Sequence, residues 1–232
     1  MEKFLLFTIK LLIFNNPQNT KHKGIKMNFQ ESLNFRHACK IFDESKSIND
    51  ADFQTILNAG RLSPSSFGLE HWQIEVIRNP ELKAAMRLAC WNQVQITSCS
   101  ELLVIYARIA DMLPNSDYIH KAFSRKTHHS EADTKAYIAK YAEFFKRFAD
   151  ERDIFGWSKA QCFLCVQNMM TQAALLGIDS CCIEGFVESD LNKVLGVDAT
   201  KRRVAVVLPL GYRINTAPEK IRQSLEEIVS YR

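Results

Sequence analysis

Residues 154–186, IFGWSKAQCFLCVQNMMTQAALLGIDSCCIEGF, decide how this chain must fold. Trp157, Ala160, Phe163, Leu164, Met169, Met170, Ala173, Ala174 and Leu176 run nearly all the way round a helix over 154–176. A helix that is apolar on every side must be buried on every side. Gln161, Gln167, Asn168 and Gln172 argue against a membrane span. In a chain of 232 residues, such a helix points to a core that continues into a second subunit. Gly177 supplies the helix stop. Residues 181–183 then read as a strand, which runs into the Glu184-Gly185-Phe186 turn.

Outward from that stretch the elements alternate without a regular rhythm. Residues 28–36 can form a first helix. Asn49 or Ser47 can cap a second, with Phe53, Ile56, Leu57 and Gly60 on one face. Leu62-Ser63-Pro64-Ser65-Ser66 ends it in a loop. Residues 72–78 alternate as a strand, Asn79-Pro80 opens a helix, and 102–107 is a continuous apolar run, as in a buried strand. Residues 115–150 are charged and helical, with Phe144, Phe145 and Phe148 as apolar spots. Residues 204–210 form a last strand, and the tail from Thr216 ends in an amphipathic piece. Short strands mixed with long helices, without a β-α-β rhythm, give an α+β fold.

Several function classes are excluded early. Net charge is only +4, and the basic residues fall in small groups, such as Lys21/Lys23/Lys26 and Lys201-Arg202-Arg203. A nucleic-acid binder would gather them on one face with exposed aromatics, so no nucleic acid is expected. The seven cysteines are odd in number, which favours free thiols and a cytoplasmic location over a disulfide framework. Cys162 and Cys165 have CxxC spacing but lie inside an apolar helix, so they read as core thiols. No second CxxC completes a zinc site, and His128-His129 reads as a solvated helix end. No metal is expected. No Gly-x-Gly-x-x-Gly follows a strand, and Gly-x-Ser-x-Gly and His-Glu-x-x-His are absent.

Residues 1–26 differ in character from the rest. An apolar stretch over 4–14, broken by Lys10, precedes Asn15-Asn16-Pro17 and a basic run. It is too short to span a membrane, and it has no small-x-small cleavage pattern. Met27 then opens a segment of ordinary globular character. The expected organisation is an extension over 1–26, either non-native or peripheral, and a single domain over 27–232. An interfacial anchor is the alternative for the extension.

Four separated pieces carry the functional signal. They are Arg36-His37-Ala38-Cys39-Lys40, Ser63-Pro64-Ser65-Ser66 with Trp72 beyond it, Gly177-Ile178-Asp179-Ser180 leading to Ile183-Glu184-Gly185-Phe186, and Leu210-Gly211-Tyr212-Arg213 with Lys220-Ile221-Arg222 after it. In this order and spacing, the chain resembles the nitroreductase family of FMN-dependent NAD(P)H reductases over roughly residues 28 to 225. That resemblance implies a central, mostly antiparallel sheet flanked by helices, in an intertwined homodimer with FMN at the subunit interface.

The resemblance also implies roles. Arg36, with His37 and Ala38 beside it, and Lys220 and Arg222 match the phosphate-binding positions, where fixed positive charge is needed. Lys40 matches a lysine at the flavin pyrimidine ring, where a cation stabilises charge that develops on reduction. Asn92 matches an asparagine at the same edge. Ile183, Glu184 and Gly185 match the N5/O4 side, where a residue without Cβ permits close approach. Pro64, Ser65, Ser66 and Gly68 match a loop that reaches the flavin from the other subunit. Phe144 or Phe145 matches an aromatic over the substrate.

There are departures. Ala38 stands in place of a serine, Gln95 in place of a second lysine, and Gly68, Glu70 and His71 in place of Asn, Gln and Pro. The implied reaction passes two electrons from NAD(P)H through the flavin to a nitroaromatic, a quinone or another flat electrophile, in ping-pong fashion. No catalytic side chain is required beyond electrostatic help from Lys40, because the cofactor carries the chemistry. An FMN storage or delivery protein is the alternative. An unrelated helical interaction protein would give no reason for the four-piece order.

Overall fold

The computed structural model describes residues 27–232, and in it short polar side chains set most helix starts. Asn28, Asn49, Asn79, Ser116, Ser130 and Asp150 each accept a first-turn amide hydrogen, satisfying donors that the helix leaves open. The elements are α1 (Phe29–Phe35), α2 (Asp50–Arg61), β1 (Trp72–Ile77), α3 (Pro80–Ala89), α4 (Gln95–Ser98), β2 (Glu101–Arg108), α5 (Asp117–Lys126), α6 (Glu131–Phe145), α7 (Glu151–Leu175), β3 (Asp179–Ser180), α8 (Glu188–Leu195), β4 (Arg202–Gly211) and α9 (Leu225–Ile228). The readings made for residues 1–26 lie outside the described residues. Among the described residues, no helix is long and apolar enough to cross a membrane.

The sheet has the order β1-β2-β4-β3, and its named strands pair antiparallel throughout. Trp72 faces Ala107, Glu101 faces Leu210, and Asp179 faces Gly211. Strand β2 is buried along nearly its whole length, and its side chains alternate between two cores, as a pleated strand requires. Leu103, Ile105 and Ala107 join Ile56 of α2 and Cys165, Val166 and Met169 of α7. Leu102, Val104 and Tyr106 join Met86, Ile96 and Leu191 on the other face. Each such aliphatic side chain contributes roughly 1.5–3 kcal/mol by leaving water. The structure is therefore α+β, with helices on both faces of the sheet.

Three expectations need correction. The long helix begins at Glu151, where Asp150 accepts from the amides of Arg152 and Asp153; its polar first turn carries no hydrophobic signal. It is also not buried on every side. Gly156, Ala160, Leu164, Gln167 and Asn168 form an exposed stripe at helical spacing, and Leu164 is 44% exposed. The strand expected over 181–183 is regular only at Asp179–Ser180. Beyond that, Cys181 donates to the Pro209 carbonyl, and Ile183 forms an isolated bridge with Val207. Pro209 has no N–H to return, which interrupts the ladder there.

The charged region divides into α5 and α6 at a turn where His128 and His129 adopt φ of 48° and 67°. Both are exposed, as read from the sequence. Phe144, Phe145 and Phe148 pack with Phe67, Tyr141 and Trp157 in a third, largely aromatic cluster.

Candidate functional site

The segment after α1 is captured by the sheet edge. Cys39 N–H donates to the Ser180 carbonyl at 3.1 Å, and Asp43 N–H donates to the Tyr212 carbonyl at 2.7 Å. Ala38 bridges Ser180 and Phe42 bridges Arg213. Cys39 and Phe42 turn inward and are buried, while Ala38 and Lys40 turn outward and are exposed. Phe42 fits because Gly211 lacks a side chain: a Cβ there would lie 2.8 Å from the ring. One extended segment thus presents the backbone of residues 37–41 along a cleft of about 450 Å³, with Arg213, Asn215, Thr216 and Pro218 on its other wall.

Asp179 anchors that wall. Its buried carboxylate accepts from the Arg213 backbone N–H at 2.9 Å and from the guanidinium Nε at 3.1 Å, both on Oδ2. The same guanidinium lies over the Phe35 ring, 4.1 Å from its centroid. His37 Nδ1 is 3.5 Å from Asp179. Burial first, and Arg213 second, hold the His37 pKa below its usual value against the pull of Asp179. The imidazole is therefore neutral at pH 7.

The expected phosphate-binding cations converge. Lys220 Nζ donates to the Arg36 carbonyl. The Lys220 pKa is held down by burial, and then by the nearby charges of Arg36 and Arg222. Among the described residues, none of these three forms an ion pair with a carboxylate. Like charges kept together without a counter-charge mark a place for an anion.

Of the residues expected at the pyrimidine side, Lys40 and Gln95 meet at one sulfur. Lys40 Nζ lies 3.9 Å from Cys181 Sγ, and Gln95 Nε2 reaches the same sulfur at 3.9 Å. Burial pushes the Cys181 thiol up, so the sulfur stays a neutral acceptor. Gln95 also donates to Gln93 Oε1 at 2.8 Å, and Gln93 Nε2 donates to the Gly185 carbonyl at 2.9 Å. Glu184 pairs with Lys159 of α7 at 2.8 Å.

Gly185 is a glycine for a reason that the sequence did not reveal. A Cβ there would lie 2.7 Å from the Trp91 ring, so the indole already occupies that side. Trp91 and Asn92 both adopt left-handed φ, 55° and 54°, a conformation that costs on the order of 1 kcal/mol or more each. Asn92 Oδ1 accepts from Arg87 Nε at 2.8 Å, and its side chain is exposed.

Other expected residues lie elsewhere. Ser66 N–H donates to Gln161 of α7 at 2.9 Å, and Ser65 Oγ accepts from the Glu70 amide at 2.9 Å. Gln161 and Lys159, the partner of Glu184, are two positions apart on α7 and so point roughly 200° apart around it. The Pro64–Gly68 loop therefore sits across that helix from Glu184. Phe144 and Phe145 belong to the aromatic cluster, with Phe144 4.8 Å from Phe67 and 5.5 Å from Trp157. All seven cysteines are free thiols, and Cys162 and Cys165 are buried core groups. Sequence reasoning gave no role to Asp179, Gln93, Trp91 or Lys159. Of these only Asp179, an acid in a strand facing the core, carried a signal: it must have a partner.

An antiparallel α+β sheet thus carries a cleft along its edge, with Lys40 and Arg213 in its lining and Arg36 and Lys220 in contact just before it. The chain belongs to the nitroreductase family, whose model matches residues 33–212. It is 35% identical over 217 residues to YfkO of Bacillus subtilis, a protein named for NAD(P)H nitroreductase activity; the match covers 89% of this chain and 98% of that protein. The fold is similar to that of an NAD(P)H:FMN oxidoreductase from Staphylococcus epidermidis, with a TM-score of 0.79 and 20% identity over 91% of this chain and 99% of the other. It is also similar to a nitroreductase from Exiguobacterium sibiricum solved in complex with FMN, with a TM-score of 0.74 and 18% identity over 89% of this chain and 98% of the other.

Proposed function

We propose that this protein is an NAD(P)H-dependent oxidoreductase that holds FMN along residues 36–40, 181–185 and 213–222. It would reduce flat electrophiles such as nitroaromatics and quinones by two-electron ping-pong transfer. The observation that carries the reading is the contact of Lys220 Nζ with the Arg36 carbonyl, at the head of the segment that lines the cleft. The residues fit the cofactor. The cations and the neutral His37 suit a phosphate, the exposed backbone edge offers polar groups to a ribityl chain, and Lys40 lies beside the stretch that leads to Gly185. Bound FMN would supply hydride acceptance and donation.

The side chains do the rest. Arg36, Lys220 and Arg222 neutralise and orient the phosphate through charge-assisted hydrogen bonds. Lys40 places positive charge where negative charge develops on reduction. Ala38 contributes no hydroxyl, so the phosphate depends more on these cations. With Gln95 uncharged, Lys40 is the principal cation of its edge. Glu184, paired with Lys159, adds little net charge at the other.

The second half of the site comes from a second copy. The exposed stripe of α7 around Leu164 is the surface for that copy, and the Pro64–Gly68 loop and the aromatic cluster with Phe144 and Phe145 lie across the helix from Glu184. A homodimer packed on α7 brings the loop of one chain towards the flavin of the other. Purified protein that is yellow and bleaches when NADPH or NADH is added without oxygen fits an enzyme. Yellow protein that does not bleach with either donor fits the FMN-storage alternative and contradicts the proposed activity.

A further inference from the structure

Gly185 and Lys40, on the two edges proposed to flank the flavin ring, are joined by a line of side-chain contacts in which Gln93 has no assigned role. Gly185 has no side chain with which to fix its own backbone, and glycine has the widest conformational freedom of any residue. Its carbonyl accepts from Gln93 Nε2 at 2.9 Å, and a Cβ on Gly185 would lie 3.2 Å from that nitrogen. A side chain there would crowd that amide and would run into the Trp91 ring, 2.7 Å away. Gln93 in turn is oriented by its other end. Its Oε1 accepts from Gln95 Nε2 at 2.8 Å, which leaves its nitrogen as the group that faces Gly185. Gln95 is only 3% exposed, so its amide hydrogens must find protein partners. They go to Gln93 and to the sulfur of Cys181, which also meets Lys40 at 3.9 Å.

The geometry points to Gln93 as a positioning residue: it fixes the Gly185 peptide and, through Gln95 and Cys181, ties that peptide to Lys40. This rests on the proposed FMN site. Gln93 would act through Gly185 and would not itself touch the reacting atoms. Its effect should appear in how tightly each redox form of the cofactor is held, not only in folding.

The decisive variant is Gln93→Glu. It keeps size and shape and still accepts from Gln95, but it cannot donate to the Gly185 carbonyl and brings negative charge to that edge. Gln93→Leu removes the donor without the charge, and it stands in should the first variant fold poorly. The measurements are FMN dissociation constants by titration of apoprotein, the two-electron potential of the holoprotein, and apoprotein melting. Loss of one hydrogen bond to a half-buried peptide is expected to weaken oxidised FMN about tenfold in both variants. Gln93→Glu is expected to weaken reduced FMN further, each additional tenfold lowering the potential by about 30 mV. Apoprotein melting should move little in Gln93→Glu, whereas Gln93→Leu should also melt lower because the buried Gln95 amide loses its acceptor.

Unchanged affinity and potential in both variants would overturn the inference, as would a change confined to apoprotein melting. Wild-type protein that binds FMN normally while both variants match it strikes this inference alone. Wild-type protein that takes up no FMN would overturn the flavin reading and this inference with it.

Discussion

The sheet edge and the far side of α7 hold the expected site residues in contrasting ways. At the edge, Cys39 and Asp43 donate to the Ser180 and Tyr212 carbonyls, and the buried Asp179 carboxylate anchors Arg213 on the facing wall. Across α7, the Pro64–Gly68 loop rests on Gln161 and on an aromatic cluster, facing away from Glu184. In the proposed function the first half holds the FMN phosphate, and the second serves a flavin only when a second chain brings it there.

Four experiments sharpen or break that contrast. The largest effect is expected from Leu164→Glu, on the exposed stripe of α7. An unpaired charge in a packed interface costs on the order of 3–5 kcal/mol, so analytical ultracentrifugation should find monomers, and the FMN should be lost with them. A dimer that keeps its colour would place the second half of the site elsewhere.

The next effect is acid sensitivity on the loop side. His71 is fully buried, with Nε2 3.2 Å from the Ser66 carbonyl. Burial pushes its pKa down to about 4. A group held below its unfolded value leaves the fold intact above about pH 6.5 and weakens it as pH falls, the loss being complete below about 4. The total is about 3 kcal/mol. Urea unfolding at pH 7.5 and 4.5 samples most of it, and His71→Leu should flatten the difference by about 2.5 kcal/mol. An unchanged slope would show that the imidazole is charged without cost.

Arg36→Ala comes third and acts on the edge half. Loss of a charge-assisted contact to phosphate should weaken FMN by roughly tenfold to a hundredfold. Lys40→Ala should instead slow flavin reduction by NADPH more than Arg36→Ala does, in stopped-flow measurements at saturating FMN. The reverse order would exchange their roles. The smallest effect is expected at Phe145→Ala, with a few-fold rise in acceptor KM from losing about 1 kcal/mol of aromatic contact and unchanged FMN retention. A large loss of FMN there would move the aromatic cluster into the cofactor site.

The same contrast separates what was legible in the sequence from what was not. Helix starts at Asn49 and Asn79, the stop at Gly177 and the buried strand around 102–107 follow from local chemistry, and the structure has them. The edge half of the proposed site could be put forward from the sequence because Arg36, Lys40, Glu184 and Gly185 stand in recognisable strings. Their supports were not. Gln93 meets Gly185 across 92 positions and Lys220 meets Arg36 across 184, and no local pattern records such pairings. The periodicity of residues 154–176 could say that the helix was apolar. It could not say which stripe a single chain leaves uncovered, because Ala160 and Leu164 look like core residues in either setting.

The most direct test is the absorption spectrum of the purified full-length protein, reconstituted with FMN and then treated anaerobically with NADPH or NADH. The expected result is a bound, oxidised flavin in stoichiometric amount that bleaches with at least one donor and recovers when a quinone is added. A colourless protein that leaves added FMN free in solution would contradict the central claim that Arg36, Lys220 and Arg222 are gathered to hold a flavin phosphate.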